Sequence, residues 1–191
     1  MWQEGLAGVM APALPYFRGR EGGRLMRKWV IAVSVLLAAA AVFFLPFRQV
    51  VAFEKDGRVA AYIPISQGDT FAIRYTHSIH RSDVEETYKV LADGTIEQIA
   101  LTYEDTAVGM PANAASGETF TFRNGKYYIT GMERKFPSIW LSIGRVVANH
   151  RVIYEGKTVT LNTVIPPGSI VRIKVTQLSL VQCWKGVNLF D

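Results

Sequence analysis

The sequence predicts an all-β domain, an antiparallel β-sandwich or barrel-like fold, placed after one N-terminal transmembrane helix. Three observations lead there. Residues 30–47 read VIAVSVLLAAAAVFFLPF, an apolar run without a charge. Beyond it, short alternating apolar runs are punctuated by turn dipeptides. The same region shows no convincing amphipathic helix of any length, because its apolar residues do not recur at helical spacing.

The N-terminal part divides into a cytoplasmic segment at 1–28 and a signal-anchor at 29–47, ahead of an exported β-domain at 48–191. A helix rises about 1.5 Å per residue and needs roughly 20 apolar residues to cross a bilayer. The run from Trp29 meets that length, with Trp29 suited to the interface and Pro46 placed to terminate the helix. Arg18, Arg20, Arg24, Arg27 and Lys28 precede it against Glu4 and Glu21. By the positive-inside rule this end stays in the cytoplasm. The chain then reads as a single-pass inner-membrane protein with its C-terminal domain periplasmic or extracellular. The alanines at 38–41 offer a cleavage site, but the apolar run continues past them as VFFLPF, which favours an uncleaved anchor. Met26, followed by Arg27-Lys28-Trp29, makes an alternative translation start, so the segment before it need not be native.

The N-terminal cations hold more than half of the +5 formal net charge, and the remainder of the chain is close to neutral. Nucleic-acid binding needs a basic stripe on the domain itself, so no nucleic-acid partner is expected. Cys183 is the only cysteine, which rules out an intramolecular disulfide. With Val181 and Trp184 beside it, it reads as a small core hydrophobe.

Asp56-Gly57, Asn124-Gly125 and Glu155-Gly156 each separate two alternating runs. Such pairs favour the positive φ that two-residue hairpin turns require. Further strands are predicted at 70–77, 84–91, 95–102, 139–147 and 169–176, several of them rich in Val, Ile, Thr and Tyr. Glu133-Arg134-Lys135 reads as a solvated loop, and Trp140 and Trp184 as core anchors. Residues 103–117, YEDTAVGMPANAASG, are long for a connection without structure of its own. A functional segment and a plain surface excursion are equally good readings of it.

The densest polar stretch is FAIRYTHSIHRSDVEE at 71–86. By strand parity Phe71, Ile73, Tyr75 and His77 share one face, and Val84, Glu86, Tyr88 and Val90 share one face of the next strand. With both apolar faces inward, His77 and Glu86 are expected to meet as an imidazole–carboxylate pair at the edge of the core. Four readings compete. His77, Glu86 and His150 would make a two-His-one-carboxylate metal site. Ser78 activated by a His would make a hydrolase, without the glycines of a nucleophile elbow. The hairpin tip and the long loop would recognise a small ligand or partner. Finally, the pair would merely fix the hairpin register. There is no phosphate-cradling glycine loop, CxxC or HExxH pattern, and no cofactor is expected.

These residues resemble the bacterial family catalogued as domain of unknown function 1850. Tyr75-Thr76-His77-Ser78, Val84-Glu85-Glu86-Thr87-Tyr88, Gly109-Met110-Pro111 and Asn149-His150-Arg151-Val152 carry the resemblance, which runs over about residues 70–160. Residues 103–108 depart from the family's Phe- and Gly-rich version, so it assigns no role to Glu104 or Asp105. The resemblance implies a membrane-anchored protein found with TRAP transporters of the TAXI type, which pair a periplasmic solute receptor with a fused permease. It brings no catalytic activity. It therefore favours a non-catalytic accessory protein recognising a partner or solute through His77, Ser78, Glu86, Gly109, Pro111 and His150. The alternative is a small-molecule or metal-binding enzyme centred on His77, Glu86 and His150.

Overall fold

A computed structural model describes residues 21–79, 81–106 and 109–191. Residues 1–20, His80 of the polar stretch, and Ala107 and Val108 of the long loop lie outside these. The chain divides into two compact units at Ala41 and Val42. The apolar run is helical only as far as Phe44, and helix α1 covers Glu21–Phe44, so it starts before the expected anchor at 29–47 and stops short of its end. The stretch of it that is long and apolar enough to cross a membrane, Gly23–Phe44, has 22 residues, with Arg24, Arg27 and Lys28 at its N-terminal end. That length rises about 33 Å, enough for a bilayer core of roughly 30 Å. The helix stops before Leu45 because the ring of Pro46 disfavours helical backbone in the residue preceding it.

The second unit is all-β. Its strands are β1 (Arg48–Lys55), β2 (Arg58–Pro64), β3 (Thr70–Thr76), β4 (Asp83–Val90), β5 (Ile96–Tyr103) and β6 (Thr119–Arg123). They continue as β7 (Lys126–Phe136), β8 (Ile139–Ser142), β9 (Arg151–Tyr154), β10 (Lys157–Thr160), β11 (Ile170–Leu178) and β12 (Val187–Asn188). A five-stranded sheet has the order β12-β2-β1-β11-β8, and a seven-stranded sheet the order β10-β9-β3-β4-β5-β7-β6. Among the described residues only the β12–β2 pair is parallel. The result is a sandwich rather than a closed barrel.

All three predicted two-residue turns are present. Asp56 and Gly57, Asn124 and Gly125, and Glu155 and Gly156 all have positive φ, the conformation in which the turn twist matches that of the strands. They join β1 to β2, β6 to β7 and β9 to β10.

Between the sheets lies one core. Val51, Phe53, Ile63, Val171 and Ile173 come from the five-stranded sheet, and Phe71, Ile73, Tyr88, Val90, Ile96 and Val152 from the other. A bulge in β5 opposite the Thr87/Tyr88 step enlarges what the second sheet contributes. The extra residue, Ile99, shifts the alternation, so Ile96 and Gln98 before it and Leu101 and Tyr103 after it are all buried. Leu101 and Tyr103 join Val84, Ile129 and Met132 in a separate cluster.

Several expectations are corrected. The strand expected at 139–147 ends at Ser142, since Ile143 and Gly144 leave the sheet for a turn that reaches His150. Glu133, Arg134 and Lys135 belong to β7 and not to a loop, with Arg134 and Lys135 paired to Glu118 and Glu97. A short helix, α2 (Leu180–Lys185), was not expected. Its signal is Ser179-x-x-Gln182: the Ser179 side chain accepts from the Gln182 N–H, and the Gln182 side chain accepts from the Ser179 N–H. Helix α2 covers the outer face of the five-stranded sheet, packing Cys183 with Val50, Ala52, Tyr62 and Leu178, as expected of a core hydrophobe. Trp140 and Trp184 are not core anchors. They are 69 % and 86 % exposed, because Trp140 lies on the outward side of edge strand β8 and Trp184 on the solvent side of α2.

Candidate functional site

The β3–β4 hairpin has the parity the sequence implies but a different register. Ile73 faces Glu86, Tyr75 faces Val84 and Thr76 faces Asp83. The loop closes on His77, whose N–H donates to the Ser82 carbonyl at 2.8 Å. The His77 carbonyl accepts from the Arg81 N–H at 2.9 Å, and Arg81 takes a positive φ to complete the turn. Glu86 therefore stands four positions from His77 along the hairpin, about 13 Å at strand rise. Tyr75 and Val84 lie between them on the same face. The expected His77–Glu86 pair does not form. The tip is too short: pairing those two residues would require the turn to shift toward β4 and break the Thr76–Asp83 and Arg74–Glu85 contacts.

Those contacts lie on the outer side of the sheet. Arg74 donates from Nε and Nη2 to one Glu85 oxygen, at 2.7 and 2.5 Å. Asp83 accepts from Thr76 Oγ1 at 3.0 Å and from Arg151 Nη2 at 2.6 Å. Three adjacent strands, β9, β3 and β4, are thereby tied across one face. Much of the charge in the polar stretch is used in this way, to fix register.

On the inner side a different group assembles. Tyr88 donates its phenol to Glu86 Oε2 at 2.6 Å. The ring of Tyr75 lies 5.6 Å from that of His150. His150 is 7 % exposed, and its Nδ1 accepts the Gly144 N–H at 3.3 Å, so the proton of the neutral ring sits on Nε2. Burial holds the His150 pKa below its ordinary value. Burial raises that of the Glu86 carboxyl, against the opposing pull of the Tyr88 hydrogen bond. Tyr75 is pushed up to about 12 by burial and then by the Glu86 charge, and Tyr88 is raised by the same causes. The group favours neutral side chains and suits hydrogen bonding more than charge. Gly144→Ala tests its support, because a methyl there would lie 2.5 Å from the Ala148 Cβ. Overpacking of this kind costs about 1–3 kcal/mol. The variant is expected to lower the urea midpoint accordingly and to shift the His150 ring resonances.

The long loop is fastened to the same region. Tyr103 donates its phenol to the Pro111 carbonyl. Met110 packs against the cluster of Val84, Leu101 and Tyr103, as does Tyr75. Gly109 takes φ +92°, open to glycine at little cost. At the far end the Ala115 N–H donates to Glu118, which also pairs with Arg134 at 3.0 Å.

The sequence-derived candidates thus separate. Glu86, His150, Gly109 and Pro111 belong to or adjoin the inner group, while His77 closes the turn and Ser78 is exposed on the tip. Among the described residues no set of three or more His, Cys, Asp or Glu side chains is arranged to hold a metal, so the reading of His77, Glu86 and His150 as a metal triad finds no support. Tyr75, Tyr88 and Tyr103 were missed as site residues. The signal was available in Glu86-x-Tyr88, whose two-residue spacing puts both on one strand face.

No curated protein and no solved structure gave a match. A family model described as Domain of unknown function (DUF1850) matches residues 71–161. That stretch runs from the second residue of β3 past β10 and so holds the tyrosine–carboxylate group, His150 and the fastened loop alike. Over this region the chain matches the family described as Domain of unknown function (DUF1850).

Proposed function

We propose that the chain is a membrane-anchored, non-catalytic accessory protein of a TRAP-type (TAXI) solute transport system. Its β-domain would stand on the periplasmic or extracellular side of the inner membrane and recognise a permease or receptor subunit, or the solute. The observation that carries this reading is the fastening of the Gly109–Met110–Pro111 loop onto the β3–β4 sheet by Tyr103 and Met110. A loop held in one place beside a hairpin offers a preformed surface, and binding then loses less freedom than ordering a mobile segment would. The partner class is the one that the resemblance implies, a TAXI-type transporter.

Cross-linked co-purification of the tagged full-length chain from native membranes tests the proposal. Permease or receptor subunits should be enriched, and Tyr103→Phe, which removes the donor to Pro111, should reduce the yield. No enrichment with the unaltered chain would remove the proposal.

A further inference from the structure

The outer face of the five-stranded sheet carries features that neither the core nor the loop site uses. Trp184 is 86 % exposed, Trp140 is 69 % exposed, and Ile170 beside Trp140 is 62 % exposed. Arg172 lies over the Trp140 ring, 5.9 Å from its centroid. Between α2 and the open part of this face runs a groove of about 800 Å³, whose walls include Arg58, Lys174, Gln182 and Lys185. Glu54 is the acidic residue of that lining, and Lys174 already pairs with it at 2.9 Å. Arg58, Lys185 and Arg172 are left as a local positive excess on a domain that is otherwise close to neutral.

From this we infer that the face is a docking surface for an anionic phospholipid bilayer. Indole rings combine an apolar body with an N–H donor and settle at the headgroup level. Lysine and arginine near such a surface add attraction to anionic lipid, and their stems lie along apolar ground while their heads reach phosphate. The tether makes this occupant the natural one. Residues 45–47 are all that separate α1 from β1. Three residues reach about 10 Å when extended, so a domain behind a membrane-spanning α1 stays beside lipid at all times. The inference rests on α1 being a span and is independent of any transporter partner.

The test uses the full-length chain in nanodiscs of phosphatidylcholine, or of an equal mixture with phosphatidylglycerol, each with brominated lipid as quencher. Subtracting the emission of a Trp140→Phe/Trp184→Phe variant removes the contribution of Trp2 and Trp29. The remaining emission should be quenched more strongly in the anionic discs, and high salt should abolish the gain. Lys185→Gln and Arg58→Gln should each lower the docked-to-undocked ratio about five-fold, with circular dichroism confirming that the variants fold. Equal quenching in both lipids overturns the inference, as does a gain that survives removal of these charges. A partner protein as the true occupant gives equal quenching. Failed co-purification with transporter subunits would leave the quenching result untouched.

Discussion

Phe71→Ala should cost about 3–5 kcal/mol, the range for deleting a large aromatic from a packed core. Phe71 is 2 % exposed and stacks on Tyr88 with ring centroids 5.5 Å apart. Domains of this size are stable by only about 5–15 kcal/mol, so the loss is a large share of the total. It also reaches the inner polar group. Tyr88 loses the ring that holds it in place, and with it the fixed geometry of the hydrogen bond to Glu86. Urea unfolding of the full chain in detergent measures the first effect. Phe122→Ala serves as the control: that ring is 61 % exposed on edge strand β6, and the change should stay within about 0.5 kcal/mol. Equal costs at the two positions would contradict the assignment of the core.

The second large effect concerns Glu86. Tyr88→Phe removes the phenol that donates to its carboxylate, and a buried charge left without its donor costs about 1–3 kcal/mol. The cost should be largest at neutral pH and should shrink in acid, where the carboxyl is protonated. The sign follows from proton linkage. The folded-state pKa of Glu86 lies above its ordinary value of 4.5, so the folded chain binds the proton more tightly. Its contribution is fully present below pH 4.5 and is lost as pH rises through the folded-state value. His150 acts in the opposite sense. Its folded-state pKa lies below the ordinary 6.5, so its contribution is present above pH 6.5 and is lost as pH falls through the folded-state value. Stability measured against pH should therefore flatten in opposite directions in two variants. Glu86→Gln should remove the decline on the alkaline side of 4.5 and gain stability at neutral pH. His150→Asn, which keeps an acceptor for the Gly144 N–H, should remove the decline on the acid side of 6.5. A wild-type pH dependence retained in both variants would show that neither group is buried as described.

The hairpin shows how much of the site could be read in advance. Parity places Phe71, Ile73, Tyr75, Glu86 and Tyr88 on one face, and they are on one face. Parity is set by the pleat, a local property of the backbone. Register is not local: it depends on where the turn closes, and here Arg81 takes positive φ although no glycine marks the place. A shift of register by an even number of residues, four here, leaves every side chain on its predicted face, yet it separates His77 from Glu86. The loop shows the same division. Its length, its glycines and Pro111 flag residues 103–117 as unusual, but nothing in that stretch reveals that Tyr103 and Met110 would fasten it to the sheet. His150, remote in sequence, reaches Tyr75 only because β9 pairs with β3.

By itself the sequence determined the apolar helix and its end before Pro46, the two-residue hairpin turns, the alternating strands and the all-β class. Each follows from interactions among residues close along the chain: apolar length, ring sterics before proline, positive φ at Asp-Gly and Asn-Gly. Only the tertiary structure decided a sandwich over a barrel, the bulge that buries both halves of β5, the inner group of Tyr75, Glu86, Tyr88 and His150, and the exposure of Trp140 and Trp184. These depend on which strands become neighbours and which face another layer covers, and a pairing between distant segments leaves no local pattern in either one.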